Sequence, residues 1–143
     1  MRHEETPDRL MVGEVVTKRL VLSDDNGRHR AALCVTPDGS PALALFDAAG
    51  TPRIKLALRP DGTPYVILGD AAGNTRAALS LRPDDDNPTL QLADSAGTPQ
   101  AILTLFPDGP ALALFDPAGD NIWQAPPGRA PRGQAQYGFA LPG

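Results

Sequence analysis

A short pattern of leucines, aspartates and glycines recurs along this chain and strongly limits what it can fold into. The motif Leu-x-Leu-x-Asp-x-x-Gly, with Val for the first Leu in its third copy, has its aspartate at positions 24, 47, 70, 94 and 116. Successive copies therefore lie 22 to 24 residues apart, and about four and a half units cover residues 20–125. Midway between them falls a second motif, Pro-Asp-Gly-x-Pro, clearest at 37–41 and 60–64. A repeat of this length predicts one supersecondary unit per copy.

Apolar residues alternate with period two between these motifs, and Gly and Pro bound each run, which is typical of strands joined in hairpins. We therefore predict an all-β fold: an antiparallel β-meander of tandem hairpin repeats with about ten strands, the first around 15–22. Matching apolar residues across the turns predicts that Leu45 pairs with Ile54, and that Leu58 pairs with Val66. We expect the resulting sheet, prism or barrel-like body to be completed by oligomerisation.

The composition argues against several classes of function. Gly and Pro supply 30 of the 143 residues and aromatic residues only 5%, which disfavours helix bundles and a large enzyme core. A formal net charge of −4 disfavours binding to nucleic acid or to an anionic membrane surface. The single cysteine, Cys34, reads as a small buried hydrophobe, and His3 and His29 have no partners at metal-ligand spacing. We expect no catalytic site, no cofactor and no metal.

The predicted strands are apolar on both faces, which is unusual for a single sheet. Leucines occupy one face, which we expect to be the core, while the other carries small and aromatic residues. Soluble monomers rarely expose an apolar patch of that extent, so we expect this second face to be covered by another subunit or by another part of the same chain. The predicted contact residues for an oligomer are Ala42, Ala44, Phe46, Ala111, Ala113 and Phe115.

The sequence divides into three segments. Residues 1–14 form a polar N-terminal arm, residues 15–125 the hairpin repeats, and residues 126–143 a Pro/Gly-rich tail. Large apolar residues at the end of the repeats and in the tail predict docking of the tail on a neighbouring subunit or another protein: Trp123, Tyr137, Phe139 and Leu141. With no signal-peptide-like or membrane-spanning run, cytoplasmic location is the default expectation, a virion or exported assembly being the alternative.

An arginine follows the turn aspartate by six residues in three units, at Arg30, Arg53 and Arg76, and Gln100 takes this place in the fourth. The simpler interpretation is a cross-strand or intersubunit partner for a neighbouring aspartate. The alternative is a basic stripe for a polyanion.

Residues 43–64 and 66–88 resemble tandem hairpin repeats of uncharacterised bacterial proteins, with the consensus Leu-x-Leu-x-Asp-x-x-Gly-x-x-Arg and Asp-Gly-x-Pro. The resemblance covers about residues 20–125. A weaker likeness is to the Tyr-Asp repeats of bacterial toxin shells, although this chain has no Tyr before any of the turn aspartates. We expect a non-catalytic assembly protein that self-associates, preferably as a homotrimer, and presents its termini or loops to a protein partner. The alternative is a receptor- or glycan-binding module of tail-fibre or lectin type.

Overall fold

The computed structural model of the chain describes residues 9–128, and these form ten β-strands. The strands are β1 (Arg19–Ser23), β2 (His29–Val35), β3 (Pro41–Phe46), β4 (Pro52–Leu58), β5 (Pro64–Gly69), β6 (Thr75–Leu81), β7 (Pro88–Ala93), β8 (Pro99–Phe106), β9 (Gly109–Phe115) and β10 (Asn121–Ala125). Each pairs antiparallel with its neighbours in chain order within one sheet, which confirms the predicted all-β meander. No helix in this part of the chain is long and apolar enough to cross a membrane.

The two repeated motifs form the turns at opposite ends of the strands. The Asp-x-x-Gly turns close the hairpins that begin with odd-numbered strands. The Pro-Asp-Gly turns join the even-numbered strands to the next, except between β6 and β7, where the turn reads Pro-Asp-Asp-Asp. In the turn after β3, the N–H of Asp47 donates to the carbonyl of Thr51 at 3.0 Å, and the N–H of Gly50 donates to the carbonyl of Asp47. Gly50 has φ of +84°, a conformation that favours glycine.

The register across the Asp-x-x-Gly turn agrees with the prediction, but the register across the next turn differs. Leu45 pairs with Ile54 as expected. Across the Pro-Asp-Gly turn, however, Val66 pairs with Leu56 instead of Leu58. The turn is tighter than expected, since the N–H of Arg59 donates to the carbonyl of Thr63 at 2.9 Å. A displacement of two residues keeps every side chain on its own face, so face matching alone could not detect it.

The face of the sheet that carries the small residues is the buried one. We call it the alanine face, and its fully buried members include Ala44, Ala113, Ile67 and Ile102. The two isoleucines are 0% and 1% exposed, although the described residues contain no second layer. We infer that the sheet curls with this face inside, since small side chains leave room for that curvature.

The opposite face, which we call the leucine face, is correspondingly convex and exposed. This reverses the expectation that the leucines form the core. The small residues of the alanine face are already buried within the single chain. Because β1 and β10 each pair on one side only, the sheet keeps two open edges. The first strand begins at Arg19, later than the predicted start at residue 15.

Candidate functional site

Three features of the described residues are candidates for function: the leucine face, the row of arginines at the Asp-x-x-Gly turns, and a cavity on the alanine face. The leucine face consists of the side chains that alternate outward along the strands. Every residue that pairs with a neighbour across this face is apolar. These pairs run from Leu20 with Leu33 at one edge of the sheet to Ala125 with Leu112 at the other.

The outward side chains of the leucine face are large and about half exposed. Seventeen of them have exposures between 37% and 60%: Leu20, Leu22, Leu33, Val35, Leu43, Leu45, Ile54, Leu56, Leu58, Leu68, Leu79, Leu90, Leu92, Leu103, Leu105, Leu114 and Trp123. Strands lie about 4.8 Å apart and rise about 3.4 Å per residue. The nine spacings between the ten strands, each strand contributing five to six residues, therefore span roughly 40 by 18 Å. The largest apolar patch on a typical monomer is about 300–600 Å², which this face exceeds.

The residues predicted to contact another subunit lie on the alanine face. Ala42, Ala44, Ala111 and Ala113 are 2%, 1%, 1% and 0% exposed within the single chain. Side chains so fully covered have almost no accessible surface to offer to a second copy. Phe46 and Phe115 end β3 and β9 and are only partly buried. These positions therefore line the interior of the curled sheet, and the accessible apolar surface lies on the other side.

Of the four residues predicted to dock the tail, only Trp123 belongs to the described residues. It lies in the edge strand β10, pairs with Leu114, and is 49% exposed, which makes it part of the leucine face. Tyr137, Phe139 and Leu141 lie outside the described residues.

The arginine row links each Asp-x-x-Gly turn to the next. In the second unit, Asp47 Oδ1 accepts the backbone N–H groups of Ala49 and Thr51 at 3.0 and 2.9 Å, while Arg53 lies 3.4 Å from Asp47 Oδ2. The Nε of Arg53 then donates to the carbonyl of Gly69 at 2.8 Å, just before the next turn. These contacts, led by the Thr51 N–H, hold the pKa of Asp47 below its ordinary value of 3.8.

The same arrangement recurs at the other positions of the row. Arg30 and Arg76 lie 3.8 and 3.7 Å from Asp24 and Asp70, respectively. Gln100 takes the arginine's place and donates to both Asp94 Oδ2 and the carbonyl of Asp116, at 3.1 and 3.3 Å. The side chains of the row are thus engaged within the chain, which favours the cross-strand interpretation over a basic stripe for a polyanion.

A cavity of about 340 Å³ opens on the alanine face beside the Pro-Asp-Gly turns that follow β2 and β4. Its lining includes Thr36, Asp38, Lys55, Arg59 and Tyr65. The Lys55 Nζ atom and the Arg59 guanidinium carbon each lie 5.4 Å from the centre of the Tyr65 ring, a distance at which cations are attracted to an aromatic face. Lys55 is only 6% exposed.

Hydrogen bonds fix the acidic group of this cavity in its charged form. The hydroxyl of Thr36 donates to Asp38, and the N–H of Ser40 donates to Asp38 Oδ1 at 3.1 Å. These donors, the Thr36 hydroxyl first, hold the pKa of Asp38 below 3.8. The cavity therefore combines two cations, one carboxylate, hydroxyl groups and an aromatic ring. The repeat pattern did not single out this group, but the lysine at Lys55, where two other units have Ala32 and Ala78, was a signal for it.

No family model and no curated protein matches this chain.

Proposed function

We propose that this chain is a non-catalytic structural assembly module that self-associates through its leucine face. The observation that carries the proposal is the leucine face itself, where seventeen large apolar side chains are 37% to 60% exposed and no charged residue occurs among the paired positions. Burial of apolar surface is the main favourable term in protein association. A face without charges also leaves no ionised group to desolvate when a second apolar face covers it.

The extent of the face supports a specific interface. Its roughly 40 by 18 Å footprint amounts to about 700 Å² for the whole face, close to the roughly 800 Å² that one subunit buries in a standard interface. The buried alanine face provides the chain with an interior of its own. The leucine face is therefore available for packing between copies without disturbing the fold of each copy.

We further propose a homotrimer, with a dimer as the alternative stoichiometry. A convex face touches one partner only along a strip, whereas two partners can cover both halves of its width. Three copies arranged around an axis satisfy this requirement for every subunit, and closed cyclic arrangements are common among homo-oligomers. The outward-facing turns and the chain termini then remain available to a further protein partner.

Light scattering coupled to size-exclusion chromatography tests the proposal on the full chain. We expect a mass of about 45 kDa, three times the 15.0 kDa of one chain. Leu56→Glu and Leu79→Glu place a charge at positions that are 54% and 51% exposed in one copy. Each substitution should therefore leave the fold intact by circular dichroism and shift the mass to that of a monomer.

Asn26→Glu is the matched control, because it adds the same charge in an exposed turn away from the leucine face. It should keep the mass of the parent chain. A parent chain that is monomeric at every concentration, or leucine-face variants that keep the parent mass, would contradict self-association through this face.

A further inference from the structure

We propose that the open edge of β10 is a docking site for residues 136–141 of the same chain, which would add to the sheet as one more antiparallel strand. In the part of the chain that the structure describes, β10 pairs with β9 alone, so one side of its backbone meets no neighbouring strand. Residues 136–141 lie outside the described residues. The edge is distinct from the leucine face, so the proposal does not depend on self-association.

The edge of β10 lacks the features that keep an exposed strand from pairing. Unpaired backbone N–H and C=O groups at a sheet edge are a template for another strand, and proteins commonly protect such edges with charged residues or proline. The opposite edge strand, β1, begins with Arg19 directly after Lys18. In contrast, β10 reads Asn-Ile-Trp-Gln-Ala and carries no charge. The edge of β10 is therefore the one that calls for a covering strand.

The repeat itself changes at this edge. Six residues after the turn aspartate, the first four units have a polar side chain that donates to a backbone carbonyl of the next hairpin: Arg30, Arg53, Arg76 and Gln100. The last unit has Ile122 at this place. Ile122 cannot make such a hydrogen bond, and it is 64% exposed. An apolar side chain exposed to this extent gains free energy when a neighbouring apolar segment covers it.

Residues 136–141 have the sequence pattern of the odd-numbered strands, which follow the even-numbered ones in this meander. They read Gln-Tyr-Gly-Phe-Ala-Leu, so that large residues alternate with small ones. The same alternation occurs as Ala-Leu-Ala-Leu in β3 and β9. At the edge of β10, Tyr137 or Phe139 would lie beside Trp123, which is 49% exposed. Aromatic pairs across neighbouring strands stabilise a sheet.

The connection between β10 and this segment favours a strand from the same chain. Residues 126–135 contain three prolines and two glycines, which is typical of a turn. Neighbouring strands lie about 4.8 Å apart, and ten extended residues reach about 33 Å, so this loop is long enough for the chain to return along β10. A short linker also gives the attached segment a millimolar effective concentration. At micromolar protein concentration it therefore outcompetes the same segment of a second copy.

Amide hydrogen exchange of the full chain, measured for each residue by NMR, tests the docking. All samples carry Leu56→Glu, or Leu79→Glu if the first variant does not fold, so that contacts through the leucine face do not protect β10. The amides of β10 that point away from β9 should exchange about tenfold faster or more in Phe139→Pro, because proline removes an N–H group and disrupts strand pairing. The emission of Trp123, the only tryptophan, should also shift to longer wavelength in Phe139→Pro.

Ala130→Pro is the matched control, because it adds the same residue to a linker that already contains prolines, and its β10 amides should exchange like those of its parent. Equal exchange in Phe139→Pro and Ala130→Pro would overturn the proposal. Protection of β10 that rises over a hundredfold range of protein concentration would also overturn it, because the edge would then be covered by a second copy. Either failure leaves self-association through the leucine face to the separate test by light scattering.

Discussion

At the scale of single residues, one carboxylate and one guanidinium per unit connect neighbouring hairpins. Asp47 uses one oxygen for the backbone of its own turn and the other for Arg53, which in turn reaches the carbonyl of Gly69 in the following hairpin. The side chain of Arg53 is 42% exposed, so its ion pair is screened by solvent and contributes little alone. The hydrogen bond to the carbonyl is the part that fixes the spacing between turns.

Substitutions of Arg53 should separate these contributions. Gln100 makes both contacts without a charge, so Arg53→Gln should retain most of the free energy of unfolding. Arg53→Ala removes the hydrogen bond as well and should cost about 1 kcal/mol, at the low end for a charged donor because of solvent exposure. Urea denaturation measures both variants. Equal losses in the two would show that charge, and not hydrogen bonding to Gly69, accounts for the role of this position.

At the scale of the hairpin, turn chemistry determines where each strand ends. The Asp-x-x-Gly turn after β3 needs a residue at φ +84° at Gly50, where a Cβ atom would meet no neighbour within 4 Å. The requirement is therefore conformational and not steric crowding by other parts of the chain. Residues with a side chain disfavour this region of backbone conformation by about 1–2 kcal/mol.

Gly50→Ala should therefore lower the free energy of unfolding by about 1 kcal/mol. Gly13→Ala is the control, because Gly13 also has open space around it but lies outside the positive-φ region. It should change stability by less than about 0.5 kcal/mol, as exposed substitutions usually do. Thermal unfolding of the two variants side by side measures the difference. A Gly50 variant as stable as the Gly13 variant would refute the conformational argument.

The sequence was informative about hairpins because strand, turn and face all leave local patterns. The aspartate–glycine spacing predicted the turns, and the pairing of Leu45 with Ile54 followed from keeping apolar residues opposite one another. The pairing of Leu56 with Val66 was missed because a shift of two residues leaves the same faces apolar. The hydrogen bond that closes the turn, between Arg59 and Thr63, sets the register that the pairs of β4 and β5 follow.

At the scale of the whole molecule, the direction in which the sheet curls decides which face is the interior. Period-two alternation predicts two faces but does not indicate toward which face the sheet curls. The face with the larger side chains was therefore expected to be the core. In the structure the small side chains lie inside and the leucines outside. The cavity was likewise invisible in the linear pattern, since residues 36–40, 55 and 65 meet only through the pairing of β3, β4 and β5 and through the turns.

The two faces should respond differently when one side chain is shortened. Ile67 is fully buried within one chain, so Ile67→Ala should lower the free energy of unfolding by about 2–5 kcal/mol at every protein concentration. Leu56 is 54% exposed in one chain, and the self-association that we propose would bury it. The stability of an assembled protein rises with its concentration, so Leu56→Ala should be nearly neutral in dilute solution and increasingly destabilising as concentration increases.

Unfolding of the parent chain and both variants, followed over a hundredfold range of protein concentration, compares these responses directly. The parent midpoint should rise with concentration, Ile67→Ala should run parallel to it at lower stability, and Leu56→Ala should show a shallower rise. In a plot of the unfolding midpoint against protein concentration, the value at low concentration measures the stability that the alanine face gives to a single copy. The slope measures the stability that contacts through the leucine face add. A flat parent curve, or the same slope for Leu56→Ala as for the parent, would mean that the leucine face makes no contact between copies and that the curled single sheet is the complete structure.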